Sequence, residues 1–288
     1  MATRQANKTT AKTRRAAKTP AKKAVKAEKI TASESAQNNR SLGVTDRLRK
    51  IKLGKPERGP LAIGAAVAEL LGTFVLALVA INSGANALFI AFAFIVLVLI
   101  LAPLSGPHLN PAITIGLWAA RKIGTYNALL YIAAQVLGGM LALAVATWIV
   151  SGQVDPTTNQ PSAQAVYQYP EASDDSSVLQ RGFVNELLGM MIFAFGVASA
   201  NLVARGAFAR AFVMGGALYF GLLVFTANPT PVLNPAVALS LNALNFTSLW
   251  SVLNFFVAPA LGSLIAIQLY RMLLRDTQIK NSGKISEA

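Results

Sequence analysis

The 288-residue chain contains no cysteine and a single histidine, His108. Without cysteine there is no disulfide framework, no thiolate metal site and no cysteine nucleophile. Charge is scarce as well: Asp, Glu, Lys and Arg make up 13% of the residues, and the formal net charge of +14 is unevenly spread. Residues 1–58 hold 17 of the 26 Lys and Arg against 4 acids, so the remaining 230 residues are close to neutral. That distribution excludes reading the whole chain as a basic nucleic-acid binder. Two acids, Glu69 and Glu186, lie inside long apolar segments. With one histidine and no cysteine beside them, too few groups remain for a catalytic site, and no enzyme, cofactor or metal is expected.

What the sequence has in abundance is apolar residues, 54% of the total, gathered in runs of about twenty. This is the composition of an all-α membrane protein. Six such segments run approximately over 61–82, 86–104, 125–150, 182–203, 209–228 and 249–272. Each is long enough to cross a hydrocarbon layer of about 30 Å as a helix. Residues 1–58, rich in Lys, Ala, Thr and Arg, bury too little to order themselves and read as a disordered basic tail. Within it, Arg47–Arg58 reads as a short surface helix. The tail is either a solvated topogenic segment or an electrostatic contact for anionic lipid or nucleic acid. The expected organisation is a tail over 1–58, a channel domain over 59–275 and a short C-terminal tail over 276–288.

Two polar loops interrupt this pattern where hydropathy places membrane. Asn110-Pro111-Ala112 follows the second segment, and Asn234-Pro235-Ala236 follows the fifth. Asn is a favoured N-cap and Pro suits the first helical position, so each triplet begins a helix, of about ten residues, too short to span. Broken backbone at membrane depth is tolerated only where it is buried in protein or lines a watery cavity. The duplication extends further: Ala68-Glu69-Leu70-Leu71-Gly72 is echoed by Asn185-Glu186-Leu187-Leu188-Gly189, and Gly138 and Gly262 each lie 28 residues beyond their Asn. With three spans in each half, the second half enters the membrane in the opposite sense, an inverted repeat with its shared site near the midplane. Gly72, Gly138, Gly139, Gly189 and Gly262 read as close helix crossings.

Arg121, Lys122, Arg205, Arg210, Arg271, Arg275 and Lys280 fall on one side, whereas Ser151–Gln180 carries Asp155, Glu171, Asp174 and Asp175 with no Lys or Arg. By the positive-inside rule both termini are cytoplasmic and the acidic connection is external. Two half-helix N-termini aimed at one point repel cations and protons. The amides of Asn110 and Asn234 offer donors to the oxygen of a neutral molecule. The spacing therefore points to a pore for small uncharged solutes.

The residues resemble the aquaporins, or major intrinsic proteins, over about 61–273. The resemblance rests on Ala-Glu-Leu-Leu-Gly-Thr at 68–73, Ser-Gly-Pro-His-Leu-Asn-Pro-Ala at 105–112 and Ala-Pro-Ala-Leu-Gly at 258–262. It implies six tilted transmembrane helices, two re-entrant half-helices meeting at the centre, a homotetramer with one pore per subunit, and passive conduction of water or small neutral solutes across the cell membrane. It also implies that Glu69 and Glu186 hold the re-entrant loops through backbone N–H groups, a proton relay being the alternative. His108 is expected to fix the loop before the first motif.

One departure bears on selectivity. Where the family usually has Arg directly after the second Asn-Pro-Ala, this chain has Val237, and the glycerol facilitators' following Asp is replaced by Ala238. By the family's spacing, twelve and three residues back from Asn234, Leu222 and Pro231 are further constriction positions, and the fourth, in the second span, falls near Ile90 by equal-length counting, with Phe89 or Phe92 as alternatives if the loop differs. All four are apolar. Water then crosses a short hydrophobic collar, and a facilitator of ammonia, dissolved gas or another small uncharged solute is the competing reading. A non-conducting scaffold tethered by its basic tail is the third.

Overall fold

The computed structural model describes residues 62–151, 157, 176–203, 206–224 and 230–286, all helical or irregular. The expected tail over 1–58, with its surface helix at Arg47–Arg58, and most of the acidic connection lie outside the described residues. The elements in order are α1 (Ile63–Asn82), α2 (Ala87–Leu101), α3 (Pro111–Ala119), α4 (Thr125–Val150), α5 (Ser176–Val203), α6 (Ala207–Leu223), α7 (Pro235–Ser240) and α8 (Leu249–Val252). A π-helical turn, Leu253–Val257, then leads into α9 (Ala258–Ser286).

Among the described residues, four stretches are helical, long and apolar enough to cross a membrane: α1, α4, α5 and the run Leu249–Asp276. The other two expected spans are shorter than the sequence suggests, 15 residues for α2 and 17 for α6. At 1.5 Å per residue they measure about 22 and about 25 Å. Each precedes a re-entrant loop, and the chain must leave the helix early to turn back toward the midplane. Pro103, which cannot continue a helix, stands two residues beyond α2. Conversely, α5 begins at Ser176 rather than near 182, and α9 runs on to Ser286, because helices propagate beyond the apolar layer. The half-helices are also unequal: α3 has nine residues, and α7 only six before Asn242 turns left-handed at φ 55°.

The packing repeats the sequence duplication. Helix α1 lies on α4 as α5 lies on α9, and α2 meets α6 between the halves. Each half-helix crosses to the other half: α3 packs on α9 and α7 on α4. Small residues make these crossings close. Gly138 abuts the Leu70 carbonyl and Gly262 the Leu187 carbonyl, in each case the residue after the buried glutamate. Gly139 lies against the Ala236 carbonyl at the start of α7.

Large apolar side chains cover the outside, among them Leu88, Phe92, Leu129, Phe212 and Phe220. An apolar exterior of this extent is matched to lipid or to further subunits. Exposed Trp118 and Tyr126 stand near one end of the spans and Trp148 and Trp250 near the other, as interfacial aromatic belts do.

Gly189 and Gly221 face one another so closely that a Cβ on either would stand 2.5 Å from the other's carbonyl oxygen. Replacing either by Val should cost about 1–3 kcal/mol through overpacking and lower the thermal midpoint of the detergent-solubilised protein. Gly216→Ala, whose new methyl meets nothing within 4 Å, should leave the midpoint unchanged or raise it. Equal midpoints for all three variants would contradict the close crossing.

Candidate pore where two half-helices meet

Asn110 adopts an extended backbone, φ −160° and ψ 118°, and its Oδ1 accepts from the N–H groups of Ala112 (2.8 Å) and Ile113 (3.4 Å). Asn234 repeats this with Ala236 (3.0 Å) and Val237 (3.4 Å). Pro111 and Pro235 fill the first helical position, where a missing N–H costs nothing. The cap oxygens are thus committed to their own half-helices, and the amide nitrogens reach across. Asn110 Nδ2 donates to the Leu233 carbonyl and Asn234 Nδ2 to the Leu109 carbonyl, both at 2.8 Å. This reciprocal pair ties the halves together at the point where both half-helices start.

Leu109 and Leu233 turn their carbonyls toward the opposite asparagine by adopting left-handed backbone, φ 50° and 62°. For a residue with a Cβ that conformation costs about 1–2 kcal/mol. The buried glutamates help to hold it. Glu69 Oε1 accepts from His108 N at 2.8 Å and Oε2 from Leu109 N at 2.7 Å. Glu186 Oε1 accepts from Val232 N at 2.6 Å and Oε2 from Leu233 N at 2.8 Å. Both side chains are at most 1% exposed. A carboxylate in that position satisfies two loop N–H groups that would otherwise be unpaired at membrane depth, through short charge-assisted bonds.

Around this symmetric centre the two halves differ. In the first, Gln135 Nε2 donates to Glu69 Oε2 (2.7 Å) and to Thr114 Oγ1 (3.0 Å). Thr114 Oγ1 donates to the Asn110 carbonyl at 3.0 Å and lies 3.1 Å from His108 Nδ1. The His108 ring packs edge-on against Tyr131, centroids 5.3 Å apart. The positions that correspond to His108, Thr114 and Gln135 by spacing from Asn234 are Val232, Ala238 and Pro259. Among the described residues, Glu186 accepts only from the two loop N–H groups.

The expected constriction residues Ile90, Leu222, Pro231 and Val237 are all buried. At the first of these positions the alternatives are separated by burial: Ile90 is 7% exposed, whereas Phe89 and Phe92 are 58% and 65% exposed and face outward. Thr114 and Gln135 were not anticipated. Gln135 had a legible signal, as an amide in the middle of the apolar run of α4; Thr114, one turn into α3, had none beyond its position. A cavity of about 50 Å³ opens below the first loop, its polar lining supplied by His108, Asn201 and Arg210. Lys122 and Arg271 belong to the basic rim at one end of the spans, where partial burial and the neighbouring Arg271 hold Lys122 below its ordinary range.

Glu69→Gln and Glu186→Gln each put an amide NH2 where an acceptor is needed, leaving one buried loop N–H unpaired. Each should cost about 1–3 kcal/mol, seen as a lower thermal midpoint. An unchanged midpoint in both would show that the carboxylates do not hold the loops.

Comparison with known proteins agrees with this geometry. The family described as Major intrinsic protein matches residues 56–270. Aquaporin Z of Photorhabdus laumondii is 33% identical over 231 residues, covering 73% of this chain and 97% of that protein. Aquaporin PIP2-4 of Oryza sativa subsp. japonica is 30% identical over 204 residues, covering 67% of this chain and 68% of that protein. The X-ray structure of the aquaglyceroporin from Plasmodium falciparum shares the fold, with a TM-score of 0.55 at 24% identity, over 73% of this chain and 95% of that one. The chain therefore belongs to the major intrinsic protein family, aquaporin-type channels rather than enzymes, and is a multi-pass membrane protein for passive passage of water or small solutes.

Proposed function

We propose that the pore runs between Asn110 and Asn234 and conducts water, with an apolar outer constriction formed by Ile90, Leu222, Pro231 and Val237. The observation that carries this reading is the reciprocal asparagine pair. Each amide nitrogen has two hydrogens and spends one on the opposite loop carbonyl; the second is left for the oxygen of a passing molecule. The half-helix N-termini add partial positive charge at the same place, which disfavours a cation or an excess proton while leaving a neutral molecule unaffected.

The apolar collar supports a second reading. With Val237 after the second motif and Ala238 beyond it, nothing there replaces the hydration shell of a polar solute. Ammonia or another weakly hydrated neutral molecule loses less than water on crossing such a collar.

His108, Glu69 and Glu186 act as loop supports in this account. The chain sits in the cell membrane with both termini cytoplasmic, a placement supported by the basic residues Arg121, Lys122, Arg210 and Arg271 at one end of the spans. The exposed apolar exterior supports a homotetramer. Contact of the basic residues 1–58 with anionic lipid follows from their charge.

Stopped-flow light scattering on proteoliposomes tests the solute. Water efflux under a sucrose gradient, compared with swelling under glycerol, urea and ammonia, should be fast relative to protein-free vesicles. Slow water efflux with rapid entry of one solute would assign the pore to that solute. Val237→Arg adds a charged donor to the collar and should raise the water-to-ammonia flux ratio about tenfold, the effect of about 1.4 kcal/mol in a barrier. An unchanged ratio would remove Val237 from the constriction.

A further inference from the structure

The hydrogen bonds around Thr114 favour one tautomer of His108. The Glu69 carboxylate requires Gln135 to present its NH2 group, which also donates to Thr114 Oγ1. The single hydroxyl hydrogen of Thr114 has two oxygens in reach, the Asn110 carbonyl at 3.0 Å and Gln135 Oε1 at 3.3 Å. Its remaining lone pair takes the hydrogen of His108 Nδ1 at 3.1 Å. In the neutral imidazole Nε2 is then an acceptor, on a side chain that lines the 50 Å³ cavity. Asn201, on α5, lines the same cavity and donates Nδ2 to the Val197 carbonyl at 3.1 Å, which leaves Oδ1 free to accept.

Acceptors therefore come from two elements of the lining, and donors come from a third. Arg210 lies on the first turn of α6 and also lines the cavity, opposite apolar Val98 and Ala102 in its make-up. Its backbone N–H bonds the Gly206 carbonyl, and among the described residues no carboxylate or other acceptor engages its guanidinium. A cation at the start of a helix sits at the electrostatically unfavourable end, where the helix dipole is already positive. Among the described residues no acid is paired with this exposed side chain to offset that. Arg210 also lines a space with room for a few water molecules.

We infer that Arg210 is the charge-selective residue of this pore: together with His108 and Asn201 it forms a filter at the mouth nearest the basic rim that admits neutral molecules carrying both a lone pair and an N–H or O–H, and repels cations. The inference rests on the channel reading given above. It accounts for a feature that reading leaves open. The opposite mouth has Val237 next to its half-helix and carries Val232, Ala238 and Pro259 where the first half has His108, Thr114 and Gln135. The polar cluster beside the half-helix is thus found in the first half, at the end where Arg210 stands. Low-dielectric walls around so small a cavity focus the field of a single guanidinium along the path.

The test uses the full chain in proteoliposomes and reads two quantities in each sample, water efflux by light scattering and potassium leak by an entrapped cation-sensitive dye. Arg210→Gln should raise the ratio of potassium leak to water flux about tenfold over the unsubstituted protein, and Arg210→Lys should keep it near the original value. In the Arg210→Gln background, Val237→Arg should bring the ratio back down by returning a positive charge to the path. Should Arg210→Gln not be recovered folded, Arg210→Glu gives the same readout with a larger expected rise. Water flux in the unsubstituted protein with a ratio unchanged by Arg210→Gln or Arg210→Glu would overturn the role of Arg210 alone. No water flux above protein-free vesicles in the unsubstituted protein would overturn the channel reading, and this inference with it.

Discussion

A backbone N–H at membrane depth has no water to bond, and the rest of this structure follows from how two loops meet that constraint. Each loop must descend to the midplane, turn and restart as a helix. Two of its N–H groups are taken by a glutamate from the first helix of its own half, and two more by the asparagine that caps its half-helix. What remains is the carbonyl just before each asparagine, and the asparagine of the other half takes it. The left-handed backbone of Leu109 and Leu233 is the local cost of aiming those carbonyls across. Once the loops are closed in this way, the glycine crossings bring the surrounding helices close enough to exclude lipid from the junction.

Symmetry stops at the asparagines and glutamates that satisfy the loops. The side chains next to them are polar in the first half and apolar in the second. Glu69 is braced by Gln135, which is itself tied to Thr114 and through it to His108, whereas the second half has Pro259 at the position that corresponds to Gln135 by spacing. A duplicated fold needs only the groups that satisfy its loops to be duplicated. Everything else is free to differ between the two mouths. The buried apolar residues Ile90, Leu222, Pro231 and Val237, proposed above as the outer constriction, and the cavity lined by His108, Asn201 and Arg210 illustrate that freedom.

The inverted repeat was legible because its requirements are local and recur at fixed spacing: Glu-Leu-Leu-Gly in the first helix, Asn-Pro-Ala at the restart, Gly in the third. Helix lengths were less so. Hydropathy runs through 86–104 without a break, and only the geometry of re-entry shows that α2 must end at Leu101. The same holds for α7, whose apolar continuation conceals the left-handed Asn242. The bracing of Glu69 joins α1, α3 and α4, and no spacing within one segment encodes a bond between three. Arg210 was visible in the sequence only as one of several cations on the positive side. Its place on the cavity wall depends on where α6 begins, at Ala207, just short of the cation itself.

The absence of cysteine provides the most direct measurement of whether solute passes between Asn110 and Asn234. Val237→Cys places a single thiol on the residue whose N–H bonds the Asn234 side chain, in a chain with no other thiol. Treatment of proteoliposomes with a small water-soluble methanethiosulfonate should label that thiol and abolish most of the water efflux, while leaving efflux through the cysteine-free protein unchanged. Complete labelling with unaltered efflux, or a thiol that the aqueous reagent never reaches, would contradict a path through this point.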